Sequence, residues 1–297
     1  MATFLKLTGR QWLGWSAVVL MAVITSLWAF WGIIENFHEG WFYHSFWKNT
    51  AMMFGQYLSP MLVFFVPGLL AIYKPRWGAV LILAAGIYAG LRFGSWFFFL
   101  PFLPLALLYW FGELPKGKWV LLLQVALPLV VLVGFGIEPV YRVSTRYEAP
   151  ADGPLQVVFG EKTITWAPPG PGWSQEPVSW VQASGICARL SEDGLQLTDS
   201  TLHFWRLPTV EETVQSLNRH GKTIQGQWNG KTGQIAFDKM PDKEPPLWET
   251  HSPIIYWWTA TQPDTASAYL VSYSGWVFPN NIRFRPGYYG FRAVRRD

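Results

Sequence analysis

From Trp12 to Ile34 the chain runs for 23 residues without a charged side chain. Such a run is long enough to cross ~30 Å of hydrocarbon as one helix, which satisfies its own backbone N–H and C=O groups where water cannot reach. Lys6 and Arg10 precede it, as basic residues also precede a secretory leader. The apolar stretch exceeds a leader's core, however, and no small-residue cleavage site follows, so it reads as a retained span.

More runs of this kind follow. Ala51 to Tyr73 is uncharged and holds Pro60 and Pro67, which spanning helices tolerate when neighbours re-satisfy the freed carbonyls. Trp77 to Gly112 covers 36 residues; as one helix it would measure roughly 54 Å, too long for a single span. A charge and a helix-breaking glycine meet at Leu91-Arg92-Phe93-Gly94-Ser95, so the stretch divides there. The reading is five spans, at about 12–34, 51–73, 77–91, 95–111 and 118–137, in a transmembrane domain over residues 1–138.

Orientation comes from the basic residues. Lys6 and Arg10, Lys74 and Arg76, and Lys116 and Lys118 fall on alternate connections; the opposite ones hold Glu35, Glu39 and Lys48, then Arg92. The amino terminus is therefore expected in the cytoplasm, and five crossings deliver the remaining chain outside. Merging the third and fourth spans would leave it inside.

Charge divides the same way. Residues 1–138 hold eight Lys/Arg against four Asp/Glu, and residues 139–297 hold fifteen of each, so the net +4 belongs to the apolar part. A formally neutral carboxyl-terminal part lacks the basic stripe that phosphate binding requires, which argues against nucleic acid as a partner. Many of the nineteen Trp lie near the ends of apolar runs, where an amphipathic ring favours the headgroup region. Polar groups at membrane depth, Arg92 and Gln56, invite a functional reading, but Arg92 falls at the expected hairpin and can snorkel to the headgroups. His38 and His44 lie beside Glu35 and Glu39 in an aromatic stretch. An interfacial re-entrant or amphipathic segment is the favoured reading there, with a metal site as its competitor.

Residues 139–154 read as a polar linker and residues 155–297 as a soluble domain. Leu155–Phe159 and Lys162–Trp166, separated by Gly160-Glu161, form a β-hairpin pattern. Ser179 is placed to cap a helix carrying Trp180, Ala183, Cys187 and Leu190 on one face and stopped by Gly194. Thr209 with Glu212 makes a capping box for a second helix ended by Gly221, and Pro208 favours the turn before it. Short strands are expected at Tyr256–Thr261, Ala268–Tyr273 and Gly290–Arg295. Two helices among short strands and long loops give an α+β domain.

These elements carry a resemblance. Pro177-Val178-Ser179-Trp180 with Ala183 and Cys187, then Arg206-Leu207-Pro208-Thr209 with Glu211 and Glu212, then Gly290-Phe291-Arg292-Ala293-Val294-Arg295 are similar, in order, to the formylglycine-generating enzyme (sulfatase-modifying factor) family. Trp205 and Tyr256-Trp257-Trp258-Thr259-Ala260-Thr261 look more like a related domain at the end of bacterial collagen-like surface proteins. The resemblance covers roughly residues 155–297. It implies a fold akin to C-type lectins and, with the spans, a bacterial cytoplasmic membrane protein whose domain is extracytoplasmic.

The catalytic members use a late cysteine pair to bind copper. Here Cys187 is the sole cysteine, so one thiolate cannot build that site and formylglycine generation is not expected. Nor can Cys187 form an intramolecular disulfide; it reads as a small buried hydrophobe. Relatives with a histidine–histidine–carboxylate iron set have no match among His203, His220 and His251; the pair His251 and Glu249 is the nearest remnant. No cofactor is expected. Arg206, with five donors in a rigid fork, suits pinning carbonyls or a carboxylate, and Gly290 suits a close backbone approach. Trp180, Arg206, Pro208, Thr209, Glu212, Gly290, Phe291 and Arg292 are read as fold-holding residues. Trp248, His251, Trp276, Asn280, Asn281, Arg283 and Arg285 are the candidate ligand-binding set, because aromatic, amide and guanidinium groups together suit carbohydrate or protein recognition.

The functional expectation is a non-catalytic binding module held by five helices in the lipid bilayer. A metal enzyme of the same fold, and a structural subunit contacting membrane partners through its helices, are the alternatives.

Overall fold

The computed structural model describes residues 7–148, 155–159 and 162–296. Lys6, the end of the linker and the Gly160-Glu161 turn lie outside the described residues. The chain separates into two compact units. One comprises Met1–Trp41 and Ser45–Tyr141, the other Phe42–His44 and Arg142–Asp297.

The first unit is helical. Helix α1, Gly9–His38, opens with a capping box in which Thr8 and Gln11 satisfy each other's backbone N–H. Helix α2, Phe46–Met52, runs into a π-helical turn at Met53–Tyr57 and meets α3, Ser59–Tyr73, at a 70° bend. Helix α4 is Pro75–Arg92 and α5 is Phe102–Phe111, joined through a 3₁₀ turn at Trp96–Phe98. Gly94 takes a φ of 65° in this connection, so the break falls where the charge and glycine coincide. Helix α6, Lys118–Leu121, continues through a second π-helical turn, Leu122–Ala126, into α7, Leu127–Ser144.

Two helices, Gly9–His38 and Lys118–Ser144, are long and apolar enough to cross a membrane, and three are if the bent Phe46–Tyr73 pair counts as one. Large apolar side chains on them face outward, including Leu27 at 61% and Ile137 at 65% exposure, as lipid contact requires. This is a membrane protein. Between the helices, small residues permit close approach: a Cβ on Gly78 would sit 2.4 Å from the Ala71 methyl and one on Gly68 2.9 Å from Met21 Cγ. Helix α7 continues through Pro139 to Ser144, into the stretch read as a polar linker, because helical neighbours within one long element outweigh a single missing N–H donor.

The second unit is α+β. Strands β1 (Leu155–Phe159), β2 (Lys162–Trp166) and β11 (Val294–Arg296) form an antiparallel sheet with β2 central, Trp166 opposite Leu155 on one side and Val294 on the other. Helices α8, Trp180–Ala188, and α9, Val210–Gln215, both start in full capping boxes, at Ser179 with Gln182 and at Thr209 with Glu212. Small hairpins follow, β3 (Asn218–Arg219) with β4 (Lys222–Thr223), and β5 (Gln227–Asn229) with β6 (Gln234–Ala236). The second sheet has the order β10-β7-β8-β9: Tyr289–Gly290, Tyr256–Trp258, Ser267–Ser272 and Val277–Asn281, with β10 parallel to β7.

Both helices end earlier than their glycines suggest. Gly194 and Gly221 lie in later turns at φ 77° and 70°, while the helices stop at Ala188 and Gln215. The chain still enters the core beyond each helix end, through Leu190 and Leu217. The late strand splits as well, since the chain leaves the sheet after Gly290 to hydrogen-bond with the 172–174 loop.

The core of this unit gathers Trp166, Trp248, Trp257, Trp258, Tyr273 and Phe291, all essentially without solvent exposure. Arg206 grips Glu212 through two 2.7 Å bonds and also donates to the Leu207 carbonyl, the fork geometry that makes Arg–carboxylate pairs directional. Gly290 permits a tight crossing: a Cβ there would lie 2.6 Å from Ile254 Cγ2 and 2.6 Å from Ser174 Oγ. Gly290→Ala should therefore lower stability by about 1–3 kcal/mol through overpacking, measured by denaturant unfolding of the purified protein. An unchanged midpoint would show that the crossing is slack.

Candidate ligand-binding cavity

A cavity of about 370 Å³ lies in the second unit. Its making begins with the Pro168–Gly172 loop. Trp173 N–H donates to the Gly170 carbonyl, and the loop is laced to the last segment by Ser174 N–H to Phe291 O and Ala293 N–H to Gly172 O. Beneath Trp173 sits Arg292, wholly buried, its guanidinium 3.7 Å from the ring centroid. Arg292 Nε donates to the Ala167 carbonyl at 2.8 Å and Nη1 to the Pro246 carbonyl. Trp173, Trp248, Leu155, Pro169 and Pro245 give the cavity apolar walls.

The polar lining comes from Glu148, Gln175, Glu249, Thr250, His251 and Arg292, with His44 of the Phe42–His44 segment counted in this unit. Glu148 is brought there by the chain after α7. Arg146 pairs with Asp242 at 2.9 Å, and Tyr147 N–H donates to Glu244 Oε1, whose other oxygen accepts from Gly221 N–H. Glu148 Oε1 then accepts from Thr250 Oγ1 at 3.2 Å and contacts His251 Nε2 at 3.1 Å. The Glu148 side chain is 64% exposed, so this pair contributes little to stability, at most about 1 kcal/mol. Its importance is where it places a carboxylate.

The sequence-read residues divide between two places. Trp248 and His251 line the cavity, Trp248 as a fully buried part of its wall. Trp276, Asn280, Asn281, Arg283 and Arg285 lie on β9 and its flanks and do not line it. Asn280 Nδ2 donates to Tyr289 Oη at 2.7 Å, Asn281 Oδ1 accepts from Arg283 N–H at 2.9 Å, and Arg285 Nε donates to the Pro177 carbonyl at 2.6 Å. Trp276 is 71% exposed. His251 meets Glu148 and not its sequence neighbour Glu249. Trp173, Gln175 and Glu148 were missed. A Trp and a Gln at the end of a Pro/Gly loop were a usable signal; Glu148 gave none, its partners lying 102 and 103 positions away.

Among the described residues, one group has three side chains placed to hold a metal ion: Glu35, His38 and Glu39, at the end of α1, whose ligand atoms lie within 4.8 Å of one another. Helical spacing alone brings i, i+3 and i+4 together. His44 is not part of it.

Two further ionisable groups of this unit are buried and do not line the cavity. Cys187 packs inside α8 with burial pushing its thiol well above the usual range, which leaves it protonated and unreactive. Lys243 is 2% exposed, its ammonium donating to the Ser252 carbonyl. Desolvation first, then the Arg146 charge, lowers its pKa to about 7 against the opposing pull of Glu249 and Asp242.

No family model, curated protein or solved structure matches this chain. Fold and site together define a membrane protein that carries an α+β unit with a cavity of small-molecule size.

Two outcomes follow. A thiol reagent should leave Cys187 unlabelled in the native protein and label it fully in denaturant; mass spectrometry reads both. For Lys243, the unfolded chain holds its proton up to about pH 10.5 and the folded chain only to about 7. The unfolded state therefore binds more protons across that window, and stability should rise with pH through it. Lys243→Met should flatten the rise, measured as unfolding midpoints between pH 6 and 10.

Proposed function

We propose that this chain is a membrane-anchored, non-catalytic binding protein. Five crossings hold a sulfatase-modifying-factor-like domain on the outer face of a bacterial cytoplasmic membrane, where it takes a ligand from outside. The observation that carries the reading is the cavity. Its walls are aromatic and proline rings, its lining offers carboxylate, amide, hydroxyl and imidazole groups, and the one thiol of the chain lies away from it, buried in α8. Such a site holds and orients a ligand with groups that are weak nucleophiles.

The resemblance to the sulfatase-modifying-factor family is supported by the way its quoted elements are used. Ser179 and Thr209 cap helices, Arg206 clamps Glu212, and Arg292 anchors two loops. The domain's neutral charge and its lone cysteine fit a binding role in that fold better than copper chemistry does. Alternation of Lys and Arg along the connections supports five crossings with the amino terminus inside.

Protease added to intact spheroplasts should remove the carboxyl-terminal domain and leave the helical part in the membrane, as immunoblots with tags at either end would show. Full protection, with an outward-facing control cut, would place the domain in the cytoplasm and end the display reading.

A further inference from the structure

The electrostatics of the cavity select among ligands. Two carboxylates, Glu148 and Glu249, line it. One guanidinium, that of Arg292, lines it too, and part of it is committed to the fold. Arg292 lies against Trp173 with Nε and Nη1 donating to the Ala167 and Pro246 carbonyls. Lys243 is enclosed with its ammonium on the Ser252 carbonyl, and Arg146 holds Asp242. His251 faces Glu148 through Nε2, and His44 adds a second imidazole to the lining.

Among the described residues, an anionic ligand entering here would meet two carboxylates against the single guanidinium of Arg292, which lines the cavity with Nε and Nη1 already donating to carbonyls. A cation would meet the carboxylates and could also donate to the Gln175 side chain. The walls add a second requirement. Leu155, Pro169, Pro245 and the Trp173 ring offer apolar area that favours a compact apolar body over a fully hydrated ion. A bare metal ion would leave these walls unused.

We propose that the cavity binds an organic cation, a protonated amine carried on a compact apolar ring or short chain. The inference rests on the reading of the cavity as a binding site and names the ligand class for it. Glu148 and Glu249 supply the selectivity, and Trp173 with the prolines supplies contact area.

The test uses three probes with one body and different heads: cyclohexylamine, cyclohexanol and cyclohexanecarboxylate. Full-length protein in lipid nanodiscs is titrated calorimetrically at neutral pH, with empty nanodiscs subtracted. Cyclohexylamine should bind about tenfold more tightly than the alcohol, the scale expected of partly exposed carboxylates, and the carboxylate should not bind. Glu148→Gln with Glu249→Gln should bring the amine to the level of the alcohol. Raising the salt concentration on the unaltered protein should shrink the preference in the same direction, a check that needs no variant. Equal binding of amine and alcohol, tighter binding of the carboxylate, no binding of any probe, or a preference that survives both substitutions would each overturn the proposal. Equal binding of amine and alcohol would still leave the cavity a binding site, and the protease experiment decides display separately.

Discussion

The second unit depends on one buried guanidinium. Its sheets are small, so few ladder hydrogen bonds tie distant loops together. Arg292 does that work, joining its own strand region to the Ala167 carbonyl 125 positions earlier and the Pro246 carbonyl 46 positions earlier while lying on Trp173. Enclosing the charge costs several kcal/mol in desolvation, and burial lowers its pKa to about 9, which keeps it protonated near neutrality. Two carbonyl acceptors and an aromatic face offset that cost. These contacts engage Trp173, a wall of the cavity, and Pro246, which follows the lining residue Pro245.

The first unit answers to a different constraint. Within hydrocarbon each backbone polar group needs a partner in its own helix or in a packed neighbour, and side chains buried there face the same demand. Gln124, on the π-helical turn Leu122–Ala126, donates from Nε2 to Tyr109 Oη, so a helix neighbour supplies a partner for its amide nitrogen. Small residues elsewhere give the helices their close approach, as at Gly78 against Ala71. Helix α5, with ten residues, extends only about 15 Å. It reaches farther into a membrane only together with the 3₁₀ turn before it.

How much was legible in the sequence follows from the range of each interaction. Capping boxes at Ser179 and Thr209, the β1–β2 hairpin and the break at Gly94 are decided within a few residues, and these were read. Helix ends were not: Gly194 and Gly221 are turn glycines beyond helices that stop at Ala188 and Gln215. Pro139 marked a boundary by local rules but sits inside α7. For the site, His251 and Trp248 could be named by type, yet the partner of His251 is set by a clamp of Arg146, Tyr147 and Glu148 onto the 242–252 loop, a tertiary contact without a local pattern. The aromatic and amide cluster after Trp276 stood out in sequence because its residues are adjacent. In the fold Asn280, Asn281 and Arg285 bond within the domain.

The reactive groups of the second unit and its accessible groups are different residues. A chemical step needs a nucleophile or base whose pKa is tuned and whose atoms reach a substrate. Lys243 has the tuning, with a pKa of about 7, but it is 2% exposed and its ammonium is spent on the Ser252 carbonyl. Cys187 is enclosed and its thiol pushed up. The groups that line the cavity, Glu148, Gln175, Glu249, Thr250 and His251, are hydrogen-bonding and charge-bearing. The fold thus encloses Lys243 and Cys187 while other polar side chains face the cavity.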